Sequence, residues 1–164
     1  MYAPSGKRGR MVDEVTGYVC IGDVPEFVVG ALWPDANVRD RRVWLNVENV
    51  RRHLSAKSDG ATRLAFYESN LSALTDCLCR VVCFIRYDRV GAGELGLDVI
   101  VPGIEPSSPG TYLLIGVRMS EHPMVLNHVA TVYRIDEKCL RRLVKRRRAV
   151  SFNDDLGDDL DPGC

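Results

Sequence analysis

Hydrophobic and polar positions divide the chain into a strand-rich middle with helical segments before and after it. Residues 15–21 (Val-Thr-Gly-Tyr-Val-Cys-Ile) are rich in β-forming side chains and read as a strand. Asp23, Pro25 and Glu26 resemble a helix start, with Phe27, Val28 and Leu32 on one side and an end near Trp33-Pro34. A brief strand follows at 41–45. Val47, Val50 and Leu54 then recur at i, i+3 and i+7, the spacing of an amphipathic helix whose outer face carries Arg51, Arg52 and His53. Asp59-Gly60 reads as a tight turn leading into a strand at 62–67. Asn70 opens a short helix with Leu71, Leu74 and Leu78. Further strands are predicted at 81–87, 95–101, 112–119 and 125–135, separated by Gly91–Gly93, by Pro102-Gly103 with Pro106–Gly110, and by His122-Pro123. Asp136 caps a last helix, from 137 to about 148, with Leu140, Leu143 and Val144 as a narrow apolar stripe.

Consecutive strands with short polar breaks predict an α+β, mostly β domain. An antiparallel sheet, a sandwich or a small barrel would satisfy the pattern, with short N-terminal helices and a basic C-terminal helix. Residues 1–12 read as a flexible basic arm, 13–148 as one domain, and 149–164 as a disordered acidic tail. With 164 residues, 46% of them apolar and 27% charged, the chain is long enough to bury a core and too polar to be a membrane bundle.

The formal net charge of zero conceals segregation. Residues 138–148 hold Lys138, Arg141, Arg142, Lys145, Arg146, Arg147 and Arg148 and no acid. Asp154, Asp155, Asp158, Asp159 and Asp161 follow with no base, and Lys7, Arg8 and Arg10 lie at the other end. The basic run suits three kinds of partner. It would release counterions from nucleic acid. It matches the composition of a nuclear import signal read by a carrier. It could also rest on an anionic membrane surface, with Leu140, Leu143 and Val144 toward the bilayer. The bland alternative is a solvated helix end favoured by the helix dipole. Ser151, with Arg148 three before it and Asp154 three after, is a phosphorylation candidate whose phosphate would shield the run.

Six cysteines include the cluster Cys77-x-Cys79-x-x-x-Cys83. On a strand these three would share one face and could form a metal or redox site. The spacing is not a zinc knuckle, however, and buried apolar thiols are the simpler reading. No His lies close in sequence; His122 or His128 would be a distant fourth ligand, and a catalytic role for either needs a partner brought near in space. Gly91-Ala-Gly-Glu-Leu-Gly96 matches G-x-G-x-x-G, but a strand rather than a helix follows, so it reads as a hairpin turn. Glu94 and Asp98 read as solvated acids on a half-exposed strand.

No secretory signal or membrane-length apolar run is evident, which predicts a cytoplasmic and nuclear protein with reduced thiols. No cofactor is implied. The composition, with 18 Arg to 4 Lys, free Cys and a small β-rich body, suggests a viral accessory, movement or matrix-like protein in a host–virus interaction. The expectation is a non-enzymatic binding protein, homo-oligomerisation being compatible with it. The alternative is a small enzyme or metal or redox protein using Cys77, Cys79 and Cys83.

Overall fold

The computed structural model describes residues 12–13, 17–103 and 110–152. In chain order the elements are β1 (Val12–Asp13), β2 (Tyr18–Asp23), α1 (Glu26–Leu32), β3 (Arg42–Asn46), α2 (Val47–Ser55), α3 (Gly60–Ser69) and α4 (Leu71–Leu74). After a 3-10 turn (Cys77–Cys79) come β4 (Cys83–Tyr87), β5 (Glu94–Pro102), β6 (Thr111–Ser120), β7 (Asn127–Asp136), α5 (Glu137–Arg146) and β8 (Ala149–Ser151). Strand residues outnumber helical ones. Most of the expected basic arm and the Asp154–Asp161 run lie outside the described residues.

The strands form one mixed sheet in the order β1-β2-β3-β7-β6-β5-β4-β8. Its pairings are antiparallel except β3 with β7, which run parallel through Val43↔Asn127 and Trp44↔His128. This corrects the sandwich and barrel expectations: the sheet is single and open, with helices on both sides. The reason lies in burial on alternate sides. Leu97, Val99 and Val101, with Leu113, Ile115, Val117 and Met119, point to one face, where they join residues of α1, α2, α3 and α4 in the main core. Ile100, Leu114 and Ile135 point to the other face, where Cys83, Ile85 and Leu140 complete a smaller core beneath α5. Strands buried on both faces read as near-continuous apolar runs, and two sheets were not needed to cover them.

Residues 62–67 are helical, not a strand. Leu64, Tyr67, Leu71 and Leu74 stand at i, i+3, i+7 and i+10, a helical stripe that becomes visible only when the window runs past Asn70. Tyr67 is fully buried, and its hydroxyl donates to the Val47 carbonyl at 3.1 Å, joining α3 to α2. Asp59-Gly60 accordingly links two helices. A Cβ on Gly60 would lie 2.7 Å from the Ser55 carbonyl oxygen, so glycine permits the close turn.

Gly93, at φ 79°, closes the β4–β5 hairpin, and β5 follows directly. Gly96 has a stricter requirement. A Cβ there would sit 2.2 Å from the Tyr87 carbonyl oxygen and 2.8 Å from Val90 Cγ1. Gly96→Ala is therefore expected to lower stability by about 1–3 kcal/mol, read as a reduced urea midpoint with unchanged m-value.

Candidate polyanion-binding surface

α5 begins where Asp136 accepts a hydrogen bond from the Cys139 amide at 2.7 Å. It ends at Arg146, and Arg147 turns into extended backbone. Leu140 is buried against the sheet, with Cys139, Leu143 and Val144 packed beside it. These apolar side chains are thus committed to the core, against the membrane-surface expectation that they face a bilayer. Lys138, Arg142, Lys145 and Arg146 lie exposed on the outer side, spaced to share one stripe of the helix. Arg141 is half-buried and pairs with Glu137 at 2.9 Å.

The last two basic residues belong to a different environment. The Arg147 guanidinium meets the Asp98 carboxylate at 3.1 Å and lies 5.2 Å from the centroid of the Tyr87 ring. The Arg148 carbonyl accepts from the Arg86 amide at 2.8 Å, and Ala149–Ser151 then pairs with β4. Residues 149–151, assigned from sequence to the tail, are a strand of the sheet, with Ser151 exposed on it. A carrier that took Lys145–Arg148 as an extended peptide would have to unwind the end of α5 and break the Arg147–Asp98 pair.

Asp98 corrects the solvated-acid reading: it is 4% exposed. It sits on the α5 side of the sheet, opposite Ile85 on β4 and Gly116 on β6. Burial pushes its carboxyl up to about 6, outweighing the attraction of Arg147 and Arg118. Around it, Tyr87, Gly96, Arg118 and His128 form a row across β4, β5, β6 and β7. Arg118 lies 4.9 Å from the Tyr87 centroid and 3.8 Å from the Glu94 carboxylate. Arg63 on α3 lies 5.5 Å from the Tyr133 centroid and pairs with Asp59 at 2.8 Å. His53, at the end of α2, is held below the usual imidazole range by burial and by the Lys57, Arg63 and Arg118 charges. Of these residues His53, Asp59, Glu94, Gly96, Asp98, His128 and Arg147 are legible in the sequence one by one, whereas Arg63, Tyr87, Arg118 and Tyr133 carry no sequence signal; an aspartate inside the apolar run 95–101 was the available sign that Asp98 is buried.

The cysteine cluster does not assemble. Residues 77–79 form a 3-10 turn instead of a strand, so the shared-face expectation fails. Cys77 is buried in the main core, Cys79 is exposed, and Cys83 lies in the smaller core across the sheet. Among the described residues no group of three His, Cys, Asp or Glu side chains is arranged to hold a metal. Burial pushes both the Cys77 and the Cys83 thiols up to about 12, which removes thiolate reactivity near neutral pH. In native protein Cys79 is expected to alkylate readily while Cys77 and Cys83 stay protected until denaturant is added, as peptide mass spectrometry would report. His122 and His128 are engaged by the backbone of their own connection. His122 Nδ1 accepts from the Met124 amide at 3.1 Å, and His128 Nδ1 lies 3.2 Å from the Leu126 carbonyl oxygen.

No helix among the described residues is long and apolar enough to cross a membrane. No family model, curated protein or solved structure matches the chain.

Proposed function

We propose that the protein is a non-enzymatic nucleic-acid-binding protein that holds phosphates on the outer side of α5. The observation that carries this reading is the division of α5 into two sides. Its apolar side is used in the core, and its outer side presents Lys138, Arg142, Lys145 and Arg146 together. Fixed on a rigid sheet, these cations need little further ordering to meet a polyanion. The same division disfavours a membrane surface, since insertion would need the apolar side that the sheet occupies. The ordered end of the basic run disfavours an import carrier, for which the segment must first detach.

The test is fluorescence anisotropy of a labelled oligonucleotide with the full chain over a range of NaCl. Affinity is expected to fall linearly on a log–log plot with a slope of about −3 to −4, from four to five phosphates engaged at about 0.7–0.9 each. Binding that does not depend on salt, or no binding at low salt, would refute the reading.

A further inference from the structure

After α5 the chain reverses into β8 and runs back toward the level at which α5 began. We infer from this that residues 153–164 fold back over α5 and compete with nucleic acid for its cations, a regulation of the site proposed above that rests on that reading. The strand registers fix the geometry. α5 starts beside Asp136, which lies opposite Thr111, and its end is placed by the Arg147–Asp98 pair. Asp98 lies opposite Ile85 and Gly116, Ile100 opposite Cys83 and Leu114, and Pro102 opposite Tyr112. The direction from Asp98 to Pro102 therefore leads from the end of α5 back to the level of its start. β8 follows that direction, from Ala149 opposite Ile85 to Ser151 opposite Cys83. Phe152 holds the exit. Its amide donates to the Val82 carbonyl at 2.9 Å, and its ring meets those of Phe84 and Phe27 edge to face at 5.9 and 6.0 Å.

This exit delivers negative charge beside positive charge. Asp154, Asp155, Asp158, Asp159 and Asp161 follow Phe152 with no base among them. At about 3.3 Å per residue, their side chains can reach from about 7 Å to about 30 Å beyond that anchor. The outer stripe of α5 from Lys138 to Arg146 spans only about 12 Å, at about 1.5 Å per residue. Several cations elsewhere are already matched: Arg51 by Glu68, Arg63 by Asp59, Arg80 by Asp76 and Arg86 by Asp88. Lys138, Arg142 and Arg146 meet no carboxylate among the described residues. Each contact between exposed charges is weak. Tethering nevertheless holds the five carboxylates near α5 at an effective concentration on the order of millimolar. Nucleic acid displaces them because its charges are closely spaced and its condensed counterions are released on binding. The segment thus sets a threshold that sparsely charged acidic surfaces do not pass.

The experiment treats the dilute full chain with a carbodiimide, which joins a lysine to a carboxylate only in direct contact, and reads the links by peptide mass spectrometry. Links from residues 154–161 to Lys138 or Lys145 are expected within single chains, and saturating oligonucleotide should remove most of them. Asp154→Asn/Asp155→Asn/Asp158→Asn/Asp159→Asn/Asp161→Asn should tighten oligonucleotide binding about fivefold at about 0.05 M salt and less than about twofold at about 0.3 M, because screening weakens the internal contact. Glu26→Gln/Asp35→Asn/Glu48→Gln/Asp76→Asn/Glu121→Gln changes net charge equally at exposed sites outside α5. That control should leave affinity within about twofold of the parent, since distant exposed charges are screened. Equal gains in the two variants, no links, or links found only between two chains overturn this inference. The α5 reading then stands so long as the full chain still binds the oligonucleotide. Failure of both the parent and the neutralised variant to bind the oligonucleotide overturns both.

Discussion

Replacing Lys138, Arg142 and Arg146 together by Ala is expected to weaken oligonucleotide binding about 100-fold at 0.1 M salt. Each lost phosphate contact removes about 0.7–0.9 from the log–log salt slope, so three contacts flatten it by about 2 to 3. The three side chains are exposed and share the outer stripe of α5, and truncating them leaves Leu140, Leu143 and Val144 in the core. Alanine is also the best helix former, so α5 should persist, as circular dichroism would check. Net charge alone could mimic part of the effect, and a second triple variant separates the two. Arg39, Arg52 and Arg80 are exposed cations outside α5 and its Arg147–Tyr87 contact, and Arg39→Ala/Arg52→Ala/Arg80→Ala alters net charge equally. That control should retain most of the affinity and slope. Equal losses in both variants would mean that diffuse charge governs binding.

The second large effect concerns Asp98, the buried acid at the end of α5. Its carboxyl is ordinarily near 3.8 and is pushed up to about 6 in the fold. Between those values the folded protein holds a proton that the unfolded chain has released. Stability from this group is therefore full below about pH 4 and is lost as pH rises through about 6. The loss amounts to about 3 kcal/mol. Asp40, Asp59 and Glu68 are lowered by their arginine partners and act in the opposite direction, below the usual carboxylate range. His53, lowered by burial and by neighbouring cations, also opposes the trend nearer neutrality. Asp98→Asn isolates the contribution. Urea unfolding of parent and variant from pH 3.5 to 7 should give a stability difference that moves by about 3 kcal/mol in favour of the variant. A difference that stays flat with pH would show that Arg147 compensates the burial of the charge.

The sequence exposed much of this architecture and little of the cluster around Asp98. Strands at β4, β5, β6 and β7 were legible because alternation or continuous apolar runs ended at Gly or Pro breaks. α2 and α5 were legible because their apolar spacing and caps agreed. α3 was misread because Thr62 and Tyr67 favour strands locally, while its partner residues, Leu71 and Leu74, lie beyond the next turn. The sheet was harder still, because the parallel meeting of β3 with β7 depends on residues more than eighty positions apart. The charge of α5 could be counted in advance, but not which residues face outward or that Arg147 leaves the helix to meet Asp98. The cysteine cluster failed for a local reason: one 3-10 turn rotates Cys77 and Cys83 into different cores.

Lysine acylation gives the most direct test of α5 as the nucleic-acid contact, because the chain has only four lysines, at positions 7, 57, 138 and 145. With the chain modified in the presence and absence of saturating oligonucleotide, peptide mass spectrometry reads each site separately. Strong protection of Lys138, on the exposed stripe of α5, together with Lys145 is the expected result. Unchanged modification of Lys138 and Lys145 while the oligonucleotide is bound, whatever occurs at Lys7 or Lys57, would contradict it.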